Sequence, residues 1–201
     1  MVSNTGKAAG DVLGDKREIY PSGDNFGWRD ITGEVLTRGV GATDPAWAQI
    51  GSGPFSAYQF ALNDVCWMSY HVPHDIVPNS VIHFHAHWLP DGTNAQPVKW
   101  QWDYTYARGF NQEAFDAAGD QITAEEAAGG VAYQHMVTET LGVKLDTLNE
   151  PDGIIYVKLT RIANGATDNT DAIFLLTADV HYQSTDQSTF GKAPNFYGAQ
   201  V

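Results

Sequence analysis

The sequence predicts an all-β protein, a β-sandwich or barrel with an extended N-terminal arm and at most one or two short helices. Three observations predict it. From Phe55 onward, short apolar or alternating runs are separated by turn residues, the pattern of a sandwich or barrel. The stretch Lys99-Trp100-Gln101-Trp102-Asp103-Tyr104-Thr105-Tyr106 sets four aromatics on one face of a strand and four polar residues on the other. Helical signal is slight. Thr123-Ala124-Glu125-Glu126 resembles a capping box, but Gly129-Gly130 stops it within two turns, so it supports one short surface helix.

Taken in order, residues 1–54 are rich in Gly, Asp, Ser and Thr, with isolated aromatics (Tyr20, Phe26, Trp28, Trp47) and no sustained period. They read as an extended arm that docks its few large side chains on its own domain or on a neighbour. Residues 55–201 form the sandwich domain. Its strand runs are Ala57–Phe60, Asp64–His71, Val81–Leu89, Val98–Arg108, Ala132–Thr140, Ile154–Ala163 and Ala172–Tyr182. Breakers lie between them: Pro73 and Pro78, Asp91-Gly92-Thr93-Asn94, Pro151-Asp152-Gly153, and the segment from Asn164-Gly165 to Asp171. Ile173-Phe174-Leu175-Leu176 is apolar on both faces and reads as a central strand covered on both sides. The aromatic strand reads first as sandwich core, and second as a carbohydrate-binding platform of Trp100, Trp102, Tyr104 and Tyr106.

Composition narrows the function. With 24 acidic against 11 basic residues and a formal charge of -13, direct binding to nucleic acid or to an anionic membrane surface is disfavoured. The opening Met1-Val2-Ser3-Asn4-Thr5-Gly6-Lys7 has no apolar signal core, and no run of about 18 apolar residues occurs, which predicts a soluble chain made in the cytoplasm. Cys66 is the single cysteine, so an internal disulfide and a thiolate metal site are excluded. Its context, Val65-Cys66-Trp67-Met68, predicts a buried, inert thiol.

Chemistry concentrates in Ile82-His83-Phe84-His85-Ala86-His87-Trp88. On a strand the three imidazoles share one face, yet His83 and His87 stand roughly 13 Å apart at about 3.3 Å per residue, too far to share an ion. Only a neighbouring pair can chelate, with help from another strand. That pairing resembles the His-x-His of cupin metalloenzymes. Here, however, Trp88-Leu89-Pro90-Asp91 stands where their glutamate falls, and no segment matches their later histidine motif. His135 or His181 would have to supply a ligand, and nothing in the sequence brings either one close. The expectation is therefore a polar sheet face or interface, with no metal ligand, no cofactor and no catalytic residue. Other catalytic patterns are weaker still. His74 with Asp75 gives one imidazole and carboxylate pair, no Ser or Cys sits in a nucleophile-elbow setting, and Gly39-Val40-Gly41 lacks the ending of a phosphate loop.

Several segments in order resemble a family of jelly-roll virion proteins of tailed bacteriophages. They are Tyr70-His71-Val72-Pro73-His74-Asp75, Ile82 to Trp88, Asp91-Gly92-Thr93-Asn94, Val98-Lys99-Trp100 to Tyr104-Thr105, and Ala178-Asp179-Val180-His181-Tyr182-Gln183. The likeness covers about residues 55–197. It implies a non-enzymatic head decoration or cement protein that sits on the major capsid protein and stabilises the shell by bridging capsomers, as a homotrimer. Its location would be the virion, after assembly in the host cytoplasm. A tail, collar or fibre component is the nearest alternative; a cupin-like metalloenzyme using His83, His85 or His87 and the carbohydrate-binding sandwich are the others. The contact elements would be the arm and the C-terminal segment Lys192-Ala193-Pro194-Asn195-Phe196-Tyr197.

Overall fold

The computed structural model describes residues 26–37, 43–165, 167–194 and 196. Residues 1–25 and 38–42 of the expected arm, with Gly39-Val40-Gly41, lie outside them, as do Asn195 and Tyr197 of the C-terminal contact segment. Ten strands follow one another: β1 (Gly27–Thr32), β2 (Ala46–Gln49), β3 (Ser56–Phe60), β4 (Val65–His71), β5 (Ile82–Pro90), β6 (Pro97–Ala107), β7 (Asp120–Ala127), β8 (Met136–Glu139), β9 (Ile154–Ile162) and β10 (Ile173–Ser184).

All strand pairings are antiparallel. One sheet runs β2-β3-β10-β5-β8, with β1 also paired to β10; the other runs β4-β9-β6-β7. Strands β3 to β10 alone give the orders 3-10-5-8 and 4-9-6-7, the alternation between two sheets of a jelly roll. The expected fold class is therefore observed. Strands β1 and β2 fall within the stretch read as an arm. β1 runs beside the second half of β10, from Gly27 opposite Ser184 to Thr32 opposite Asp179, and β2 lies outside β3.

The expected short helix at Thr123–Glu126 is not formed; these residues belong to β7. Ile122 and Ala124, two residues apart, pack against the core, and Glu125 faces Lys99 across the β6 pairing. Cross-strand pairing satisfies the backbone here, overriding a local capping pattern worth about 1 kcal/mol. No helix occurs among the described residues.

The core lies between the sheets. Trp88 of β5 and Trp100 and Trp102 of β6 are completely buried, with Phe84 stacked on Trp102 at 6.5 Å and Phe60 edge-on to Trp100 at 5.3 Å. Each such ring withdraws about 150–250 Å² from water. This burial removes Trp100 and Trp102 from any surface platform, correcting the carbohydrate reading at those residues. Cys66 is also in the core, and burial pushes its thiol up to about 12, leaving it protonated and unreactive at neutral pH.

One irregularity governs the rest. The β10–β5 register runs Leu175 opposite Trp88 and then Thr177 opposite His87, so Leu176 is the extra residue of a β-bulge. Before the bulge, Ile173 and Leu175 face the core; after it, Ala178, Val180 and Tyr182 do. The bulge reverses the phase of the strand. Without it, Asp179 and His181 would share the parity of Leu175 and point inward.

Candidate functional site

The outer face of the larger sheet carries the chemistry. Strand β5 alternates as expected, with Ile82, Phe84, Ala86 and Trp88 buried in the core and His83, His85 and His87 on the opposite face. Because the bulge turns Asp179 and His181 outward, two rows of side chains cross the sheet. Asp30, His181 and His83 form one across β1, β10 and β5. Asp179, His85 and Glu139 form the other across β10, β5 and β8. Five histidines gather here once His135, just before β8, is included.

Their bonds are specific. His85 is 4% exposed, and its Nε2 bonds the Glu139 carboxylate. On its other side, Nδ1 lies 3.8 Å from Asp179 Oδ1. The rings of His85 and His181 meet edge to face with centroids 3.7 Å apart. His181 Nε2 pairs with Asp30 Oδ1, while its Nδ1 is 3.7 Å from Glu139 Oε2, beyond hydrogen-bond reach. His83 Nδ1 donates to Thr140 O at 2.9 Å. His87 and His135 stack at 5.2 Å and share a 3.0 Å hydrogen bond. Trp28 of β1 stands edge-on to His83 at 5.3 Å, and a cleft of about 400 Å³ opens between Trp28, His83, Glu139 and His181.

Burial lowers the pKa of His85; the Glu139 hydrogen bond opposes this and the nearby His181 ring adds to it. The net direction favours a neutral imidazole at pH 7, the form that binds metals. Asp179 is 5% exposed, and its Oδ1 is buried without a hydrogen-bond partner; His87 Nε2 lies 3.2 Å away, but not in hydrogen-bonding geometry. His85, Asp179 and His181 each offer a ligand atom within 4.8 Å of the others. A larger cavity, about 660 Å³, lies near the start of β10 between Asp64, Arg161 and Asp171. Its Arg161 donates to Phe60 O and Asn169 O, and one oxygen of Asp64 there is buried without a hydrogen bond.

The alternation of the histidine strand was legible in the sequence; the structure sets His83 opposite His181 and His87 near Asp179, and His85 is the one of the three that lies against both. His135 joins His87 instead. Asp179, Glu139, Asp30 and Trp28 were missed as members of this face, although Asp179-Val180-His181 repeats the polar alternation of the histidine strand. His74 and Asp75 do not pair with each other. Asp75 accepts from Arg29 at 2.7 Å, Tyr182 at 2.9 Å and Ser184 at 2.6 Å. His74 instead contacts Thr189 Oγ1 at 2.5 Å and Asp152 Oδ1 at 3.2 Å, while that threonine donates to Gly191 O.

No family model matches the chain, and no curated protein does. Solved structures align weakly. Carbohydrate-binding module CBM36 in complex with calcium and xylotriose aligns at 16% identity and TM-score 0.41, over 77% of this chain and 100% of that one. A Paenibacillus sp. cycloisomaltooligosaccharide glucanotransferase aligns at 15% identity and TM-score 0.37 over 77% of this chain, which spans 17% of the enzyme. The receptor-binding domain of spike protein P1 from bacteriophage PM2 aligns at 11% identity and TM-score 0.28, over 79% of this chain and 99% of that one. At these scores the alignments carry nothing about what this chain binds.

Proposed function

We propose that the chain is a structural protein of a tailed-phage particle: a head decoration protein that binds the outside of the major capsid protein and bridges capsomers as a homotrimer, without catalysis. The supporting observation is that the ordered motifs behind the sequence resemblance serve as joints of one framework. The first and last of them meet where Asp75 accepts from Tyr182. The Asp91–Asn94 turn is stapled to the loop before β10, with Asn94 N donating to Asp171 at 2.8 Å, Ala172 N to Asp91 at 2.9 Å and Asn169 Nδ2 to Asn94 O at 2.7 Å. Jelly rolls serve capsids, lectins and cupins alike, so the fold alone does not choose among them. Multivalent attachment would oppose shell expansion with modest contacts per subunit.

The test is particle proteomics combined with reconstitution. The protein should co-purify with full particles, and added protein should raise the temperature at which undecorated capsids open. Its absence from particles would overturn the reading. A deletion tests the arm as a contact element: because β1 and β2 are part of the sheet, only residues 1–25 should be removed. The truncated chain should fold but decorate capsids at least tenfold more weakly; undiminished decoration would remove the arm's role.

A further inference from the structure

We propose that His85, Asp179 and His181 bind one first-row divalent transition-metal ion, tying β5 to β10 through two imidazole nitrogens and one carboxylate oxygen. The site is independent of the virion reading. Its donor set, two histidines and an aspartate, is the borderline-soft combination that zinc, cobalt, nickel and ferrous iron accept.

Three observations converge on it. The ligand atoms lie within 4.8 Å of one another. In a tetrahedral zinc site with bonds of about 2.0–2.2 Å, ligand atoms stand about 3.4 Å apart, so closure asks for side-chain shifts of about 1 Å. Next, Asp179 Oδ1 is buried without a hydrogen bond, 3.8 Å from His85 Nδ1 and 3.2 Å from His87 Nε2. A buried carboxylate oxygen is ordinarily paired or coordinated, and here the groups nearest to it are imidazoles. Finally, both histidines are oriented from outside. His85 gives Nε2 to Glu139 and His181 gives Nε2 to Asp30, which leaves each Nδ1 outside those bonds. A carboxylate holding the far nitrogen of a ligating histidine fixes its tautomer and strengthens its basicity, the usual outer support of a metal site. Three protein ligands leave a fourth coordination position, and a cleft lined by Trp28, His83, Glu139 and His181 adjoins the group at His181.

The experiment uses the untagged full-length chain, stripped with a chelator and titrated with Zn²⁺ by calorimetry, with Co²⁺ absorption as a spectroscopic report. One ion per chain should bind with micromolar or tighter affinity, and Co²⁺ should give the intense visible bands of a four-coordinate site. Asp179→Asn and His181→Gln should each weaken binding at least a hundredfold. His135→Ala, which removes the partner of His87 and none of the three ligands, should leave it within threefold. His181 is a rim residue with a side chain 31% exposed, so His181→Gln decides the matter if Asp179→Asn does not fold. Failure of the wild-type chain to bind, binding that survives the two ligand substitutions, or loss through His135→Ala would each overturn the site.

Discussion

Asp103 illustrates how single side chains outside the core hold neighbouring strands together. It projects from β6 beside Gln121 of β7 and Lys158 of β9, its register partners on either side. Burial raises its pKa, but hydrogen bonds from Gln121 at 2.7 Å, Lys158 at 2.9 Å and Gln101 at 3.0 Å outweigh this and hold the carboxyl below the usual range. A carboxyl whose pKa is lower folded than unfolded adds stability above its unfolded value, about 3.9, and that stability is lost as pH falls through the folded value. With solvent screening allowed for, Asp103→Asn should cost about 0.5–1 kcal/mol at pH 7 in urea unfolding, and the difference from wild type should close as pH falls through the folded value. A constant difference across that range would assign the effect to packing. The residue scale is also where the sequence was most readable: alternation alone placed Trp100 and Trp102 opposite Gln101 and Asp103, and His83, His85 and His87 opposite Phe84 and Ala86.

At the scale of elements, each of the seven strand runs read from the sequence overlaps an observed strand, whereas β1, β2 and β7 were not read. The reason is physical. Gly27-Trp28-Arg29-Asp30-Ile31-Thr32 is largely exposed and lacks a clean apolar face, so backbone pairing to β10 makes it a strand. β7 contributes only Ile122 and Ala124 to the core. The candidate site was half legible for a related reason: the histidine half announces itself by alternation, while the Asp179 and His181 half depends on a bulge and a long-range register. Deleting Leu176 tests that dependence. The shortened strand must either bury Asp179 and His181 or turn Ala178, Val180 and Tyr182 out of the core. We expect a loss of at least about 3 kcal/mol, read as a fall in the urea midpoint, whereas Leu176→Ala should cost under about 1 kcal/mol because the side chain is 43% exposed. Equal effects would mean that the extra residue does not set the phase. Related chains lacking it should carry the polar and apolar positions of β10 in exchanged order.

At the scale of the whole molecule, the jelly roll joins distant parts of the chain. β3 pairs with β10, bringing Tyr58 opposite Leu175, and β5 lies along almost the full length of the same strand. β10 thus sits in the middle of its sheet with β1, β3 and β5 beside it. A chain ending at residue 172 would expose the core faces of β3 and β5 and leave their backbone groups unpaired on that side. It should show no cooperative unfolding transition and should be cut rapidly by protease; a cooperative transition would mean that the remaining strands form a core alone. Synthesis adds a further constraint. β10 is the last of the ten strands to be translated, so the sheet lacks its middle until the ribosome has passed Ser184 and released that segment from its exit tunnel. Until then β3 and β5 are two open edges, and they are vulnerable to pairing with other nascent chains. Slow-translating codons placed before β10 would lengthen that interval, which makes the timing of elongation, as well as the sequence, a determinant of how much protein reaches its native state.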